Sequence, residues 1–160
     1  MLYEECGDIV KDGKYNIICN QTNCMGVMEA GLAAQIAARW PAVNERNRTA
    51  CHNRNPLGSI LVVRVDKERF CVNLYGQYDY GRNPNKTYTD YNAFQKALNE
   101  LAARLNGSII PDKWKVCFPR GIGCGLAHGK WVVIRSMIEE FEKKIPQDVY
   151  IVSRCPKGEE

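Results

Sequence analysis

"VCFPRGIGCGLAHGKWVVI", residues 116–134, sets a short apolar run against a glycine loop and a helical pattern. Val116 to Phe118 read as a buried strand that stops at Pro119. Gly121, Gly123, Gly125 and Gly129 follow within nine residues, and an apolar helical pattern starts at Trp131. Glycines let a backbone turn sharply and approach a ligand closely. A helix N-terminus presents unpaired N–H groups and a dipole that favour an anion, and successive free N–H groups in such a loop can form a nest for phosphate oxygens.

An equivalent unit lies upstream: strand "NIICN" (16–20), loop "QTNCMGVMEAG" (21–31) and helix "LAAQIAARW" (32–40). Two such cradles at neighbouring strand ends could share one diphosphate, which points to a nucleotide-like ligand.

The rest of the chain alternates strand and helix. Strands are expected at 2–6, 15–20, 59–65, 69–75, 115–118 and 149–153, with 59–75 as a hairpin turning at Asp66-Lys67-Glu68. Helices are expected at 31–40, ending at Pro41, at 90–105 and at 131–145. In the second of these, Tyr91, Phe94, Leu98, Leu101 and Leu105 form one apolar stripe, with Thr89 or Asp90 as cap. The order β-β-α-β-β-α-β-α-β implies a three-layer α/β/α fold, a mixed central sheet of about six strands flanked by helices. Residues 1–155 are expected to form a single domain, with 156–160 as a loose tail. In such sheets ligands bind beyond the carboxyl ends of the strands.

The chain has 160 residues, 25% charged and 45% hydrophobic, with a net charge of +4. The apolar runs are too short to span a membrane, and "MLYEECGDIV" lacks the pattern of an export signal. The eight cysteines are scattered, and Cys19, Cys71 and Cys117 fall inside apolar strands. Four Asn-x-Ser/Thr triplets would suit a secreted protein, yet without an export signal the expectation is reduced thiols in the cytoplasm. No CxxC pair and only two histidines occur, so neither a metal nor a cofactor is expected. "RNRTACHNRN" (46–55) carries three arginines and a histidine among asparagines. It reads as a solvated loop, with a nucleic-acid contact as the alternative.

Further residues could complete a nucleotide site. Asp8 could accept a bond from an adenine amine or cap a turn. Asn20 and Asn23 could bond ribose hydroxyls, or Asn20 could serve strand-end backbone. The tyrosines of "LYGQYDYG" (74–81) could stack on a base or belong to the core.

Taken together, "GDI" (7–9), "NIICNQTNCMGVMEAGLAAQIAARWP" (16–41), "NLYGQYDYGRNPNKTYTDYNAF" (73–94) and "FPRGIGCGLAHGKW" (118–131) resemble a macrodomain. The likeness is to phage and bacterial members of the branch that includes ADP-ribose-1''-phosphate phosphatase-like proteins and hydrolases that remove ADP-ribose from acidic side chains or DNA. The resemblance implies binding of ADP-ribose or an ADP-ribosylated protein, DNA or small molecule, by a monomer. It places Asp8 and Ile9 at the adenine, and Asn20 and Asn23 at the distal ribose. The diphosphate would lie between Gly26, Val27, Met28, Ala30, Gly31 and Leu32 of the first loop and Gly121, Ile122, Gly123, Cys124, Gly125 and Leu126 of the second.

For catalysis the resemblance offers Lys86, with Asn23 and His128 as further candidates. Relatives that cleave acidic-residue esters use a lysine and a carboxylate directly after "GCGL". Here that position is Ala127, which cannot carry a proton, so a non-catalytic ADP-ribose-binding module is the alternative. Asp79 and Asp90 are other carboxylates of the middle segment. A cysteine phosphatase with a Cys-x5-Arg loop is disfavoured, because Lys130 stands where the arginine would be.

Overall fold

The computed structural model describes residues 1–107 and 109–156. Its elements run β1 (Leu2–Cys6), β2 (Ile17–Gln21), α1 (Gly31–Arg39), α2 (Pro41–Asn53), β3 (Ile60–Asp66), β4 (Arg69–Leu74), α3 (Tyr91–Leu105), β5 (Lys115–Pro119), α4 (Trp131–Glu142) and β6 (Asp148–Ser153). The strands form one six-stranded sheet in the order β1-β6-β5-β2-β4-β3. All pairings are parallel except β3 with β4, the hairpin expected from the sequence.

Two cores sandwich this sheet. On one face Ile17, Cys19, Val72, Leu74, Val116 and Phe118 pack against α3 and α4. On the other, Ile18, Cys71, Cys117 and Val152 pack against Ile36 of α1 and Val43 of α2. Alternate residues of one strand serve opposite layers, which is why β2 is buried along its whole length. This is the three-layer mixed sheet that the alternation of elements implied.

One helix departs from expectation. Residues 46–55 are not a solvated loop; most of them belong to α2. Pro41 follows the end of the first helix, as expected, and also occupies the first turn of the next one. That position leaves its missing N–H without consequence. Trp40 is the pivot: its N–H donates to Ile36 O at 2.8 Å and its carbonyl accepts from Val43 N at 2.9 Å. The buried positions of α2 are Val43 and Asn47. A polar residue at a core position breaks the apolar stripe from which a helix is read.

The cysteine reading is also corrected. Cys6 and Cys155 form a disulfide with a Cα–Cα distance of 4.7 Å. Strand β1 lies parallel to β6 with Cys6 opposite Ser153, so the chain leaving β6 passes the end of β1. The two cysteines are 149 residues apart, and the sequence alone does not show that juxtaposition. The other six cysteines are free thiols, and four of them are buried. Of the tail expected at 156–160, residues 157–160 lie outside the described residues. No helix among the described residues is long and apolar enough to cross a membrane.

Helix α3 begins as its sequence indicates. Asp90 is its cap, and its Oδ1 accepts from Ala93 N at 3.0 Å. Asp90→Ala is expected to lower stability by about 1 kcal/mol, or roughly 2–4 °C in melting temperature, measured by thermal denaturation followed by circular dichroism.

Candidate functional site

Strands β1, β2, β4, β5 and β6 run parallel, so their carboxyl ends open onto one edge of the sheet. Strands β2 and β5 are direct neighbours. The two glycine loops therefore emerge side by side above the middle of the sheet.

The first loop is shaped by Asn23. Its Oδ1 accepts from Met25 N at 3.0 Å and Val27 N at 3.3 Å, and its Nδ2 donates to Val27 O at 2.8 Å. The Oδ1 and one of the two Nδ2 hydrogens thus brace the loop, and the second hydrogen has no acceptor among the described residues. Gly26 takes φ +78° and Gly31 φ +55°, both in the left-handed region. Met28 is buried against the α1/α2 core. Among the described residues, the N–H groups of Met28, Glu29, Ala30 and Gly31 have no backbone or side-chain acceptor.

The second loop is a set of nested turns. Ile122 N donates to Pro119 O at 3.0 Å, Cys124 N to Gly121 O at 2.8 Å and Gly129 N to Gly123 O at 2.8 Å. Gly121 and Gly123 take φ +81° and +73°. Ile122 is buried in the α3/α4 core, which turns Gly123, Gly125 and Leu126 toward the rim. The N–H groups of Gly123, Gly125 and Leu126 have no acceptor among the described residues.

Each loop runs into a helix that lacks a capping side chain. Ala30 precedes α1 and Lys130 precedes α4, and neither supplies a cap bond. Helix α3, by contrast, is capped by Asp90. The N–H groups of Gly31, Leu32 and Ala33 in α1 and of Trp131 and Val132 in α4 have no acceptor among the described residues, whereas Val133 N donates to Lys130 O at 3.1 Å.

Below the loops lies a polar layer that the sequence reading did not identify. Gln21, at the end of β2, donates from Nε2 to Gln77 Oε1 at 2.9 Å and to Thr89 Oγ1 at 3.0 Å. Thr89 Oγ1 in turn donates to Gly123 O at 2.6 Å. The Gln21 Oε1 atom is buried and unpartnered among the described residues. On the α1/α2 side, Asn20 Nδ2 donates to Asn73 Oδ1 at 3.3 Å, and Asn73 Nδ2 to Asn47 Oδ1 at 3.4 Å. Tyr75 Oη also donates to Asn47 Oδ1, at 2.6 Å. Burial pushes the Tyr75 phenol well above its usual range, so it remains a donor. Three asparagines on β2, β4 and α2 and a tyrosine just after β4 have no common spacing that announces this network.

The remaining candidates are placed as follows. Asp8 closes a turn, its Oδ1 accepting from Val10 N at 3.1 Å and Lys11 N at 2.9 Å; its other oxygen has no partner among the described residues. Ile9 is buried beside it. Lys86 is exposed, with its ammonium 4.9 Å from the Tyr88 ring centroid. His128 takes φ +60°, and its Nδ1 lies 2.7 Å from Lys86 O. The structure thus brings Lys86 and His128 together, but through the lysine backbone. Ala127 is buried, and its carbonyl accepts from Tyr88 N at 2.8 Å and Thr89 N at 3.1 Å. Asp79 lines a small cavity together with Lys86 and Asp90. Leu126 is exposed on the second loop.

Cys124 is half-buried, and burial pushes its thiol upward, away from the thiolate that a nucleophile needs. Burial pushes Cys24 up to about 12. Among the described residues no group of three or more His, Cys, Asp or Glu side chains is placed to hold a metal ion.

No family model matches the chain. The 17.5 kDa protein in the tk-vs intergenic region of Enterobacteria phage T4 is 29% identical over 147 residues, covering 87% of this chain and 88% of that one. The macrodomain of Mycobacterium tuberculosis DarG superposes with a TM-score of 0.78 at 20% identity, covering 98% of this chain and 99% of that one. A protein of Bacteroides thetaiotaomicron gives 0.81 at 23% identity, covering 96% and 99%. Thermosipho africanus DarTG, solved in complex with ADP-ribose, gives 0.76 at 17% identity over 94% of this chain and 42% of its own. At these identities the likeness establishes the fold.

Proposed function

We propose that this chain, which has the macrodomain fold, binds ADP-ribose or an ADP-ribose derivative along the carboxyl edge of its sheet. We further propose that it hydrolyses a bond at the distal ribose, by de-ADP-ribosylation or by removal of a 1''-phosphate. Residues 1–155 would act as one domain, a monomer. One observation carries the reading: two glycine loops on neighbouring parallel strands both lead into uncapped helix N-termini. A diphosphate has negative oxygens on both of its phosphates, and each helix end with its loop N–H groups suits one of them. The similar fold of DarTG, which was solved with ADP-ribose, supports the same ligand.

In this reading Asp8 and Ile9 meet the adenine and Asn20 lies toward the distal ribose. The loops Gly26–Leu32 and Gly121–Leu126 hold the diphosphate. Asn23 fixes the first loop with its Oδ1 and one N–H, and its second N–H is left to bond the distal ribose. Lys86 and His128 stand at the distal end as the candidates for chemistry. The test is calorimetric titration with ADP-ribose, followed by incubation with ADP-ribose-1''-phosphate, ADP-ribosylated protein and ADP-ribosylated DNA. Micromolar binding with turnover of one substrate is expected, and Lys86→Ala is expected to lower that turnover at least tenfold. Failure of ADP-ribose to bind at millimolar concentration would sink the proposal.

The second reading is a module that binds ADP-ribose without cleaving it. Two observations favour it. Ala127 offers only a carbonyl, already bonded twice. Lys86 is exposed, whereas a lysine nucleophile acts through its neutral amine, a form that burial favours. Tight binding with no turnover of any of the three substrates would select this reading.

A further inference from the structure

The basic stretch 46–55 is left unused by the proposed site. In the fold it is the later part of α2 together with its cap, and it walls a cavity of ≈ 690 Å³. Arg48 and His52, one turn apart on the helix, and Arg54 at the extended cap line one side. The other side is the first glycine loop from Cys24 to Val27, with Tyr78 closing the rim. Glu29 is the one carboxylate among the lining residues. Neither Arg48 nor Arg54 makes an ion pair among the described residues. Tyr78 and Met25 are 51% and 41% exposed and add aromatic and thioether surface.

The cavity and the proposed ADP-ribose site share a wall. A Cβ on Gly26 would lie 3.4 Å from Arg48 Cα, so the loop sits directly on the helix. Cys51 Sγ lies 3.9 Å from Asn23 O at the same contact. Gly26 and Val27 line this cavity and also belong to the loop proposed to hold the diphosphate, so the two sites adjoin.

We infer that this cavity is a phosphate-binding subsite for the group attached at the distal ribose, so that the substrate of this chain carries a phosphate beyond its ADP-ribose. The inference rests on the reading of the first loop as an ADP-ribose cradle. An ester to an acidic side chain is uncharged at the linkage and gives two arginines nothing to hold. A phosphate there keeps its negative charge, and the guanidinium fork matches its oxygens. The cavity volume falls in the range of small-ligand sites and exceeds what one phosphate fills. The phosphate can belong to a small phosphomonoester or to a single nucleic-acid strand whose base stacks on Tyr78.

The test titrates three probes, ADP-ribose, ADP-ribose-1''-phosphate and a short oligothymidylate, into the wild-type chain and an Arg48→Gln/Arg54→Gln double variant. At least one phosphate-bearing probe is expected to bind the wild type in a salt-weakened manner. The double variant should bind that probe about tenfold or more weakly, with ADP-ribose affinity changed less than about threefold. The probe that responds identifies the carrier. Equal binding of both phosphate-bearing probes by variant and wild type overturns the subsite, as does binding of neither. Circular dichroism checks the fold. Should the double variant unfold, Arg54→Gln alone, at a residue beyond the helix, and the wild-type salt series give the same decision. If ADP-ribose fails to bind, the cradle reading falls, while the oligothymidylate arm still reads the cavity by itself.

Discussion

Gly123→Val is expected to abolish measurable ADP-ribose binding, a loss of about a hundredfold or more, and to cost about 3 kcal/mol of stability. Gly123 takes φ +73°, a conformation that a β-branched side chain adopts only under strain. Its added Cβ would lie 2.8 Å from Gln21 Oε1. Gln21 cannot simply step aside, because its Nε2 is held by Gln77 and Thr89. Displacing it breaks the layer that positions both loops, since Thr89 also bonds Gly123 O. Gly125→Ala is the companion variant. Gly125 has no heavy atom within 4 Å of an added Cβ and does not require positive φ. Its stability should stay within about 0.5 kcal/mol of wild type. Its ADP-ribose affinity should nevertheless fall about tenfold, because the open space above that residue is where the diphosphate is proposed to lie. Urea denaturation and calorimetry together separate the two effects. Unchanged affinity in both variants would remove the second loop from the site.

What the sequence made legible follows from period and from glycine. Strand β2 reads as buried on both faces because it serves two cores, and α3 reads cleanly because its apolar stripe is unbroken. The two loops stand out because Gly26, Gly31, Gly121 and Gly123 occupy left-handed positions that leave a trace as residue type. Helix α2 was missed for the opposite reason: Asn47 sits where an apolar residue would mark the core face. Asn23 braces its own loop as well as standing as a ribose candidate, a second task that residue type alone does not reveal. Gln21 and Thr89 meet across 68 residues, and Cys6 and Cys155 across 149. Such pairs are set by strand order, which short-range patterns do not encode.

Asn47→Ala is expected to cost about 3–4 kcal/mol, the largest stability loss anticipated for a single side chain outside the glycine loops. Asn47 is fully buried, and its Oδ1 accepts from both Tyr75 and Asn73. Truncation removes the oxygen acceptor of the buried Tyr75 hydroxyl and leaves it only the Cys51 thiol, a much weaker partner. One unsatisfied buried donor costs about 1–3 kcal/mol, and the Asn73 amide and the vacated space add to it. If the hydroxyl carries much of the penalty, removing it must relieve the defect. Asn47→Ala/Tyr75→Phe should therefore be less destabilised than the sum of the single variants, by about 1–2 kcal/mol. Strict additivity would show that the network is not the cause. The same variant distinguishes support of the site from membership in it. A ligand that binds only the folded state at a hundred times its dissociation constant adds about 2.7 kcal/mol of stability. Asn47 lies beneath the first loop rather than on its surface, through the packing of Gly26 on Arg48. ADP-ribose should thus stabilise the Asn47→Ala variant nearly as much as the wild type, from a lower starting point. A variant that melted early and also lost this ligand increment would mean that Asn47, and not only Asn20 of the same network, is needed to form the ribose site.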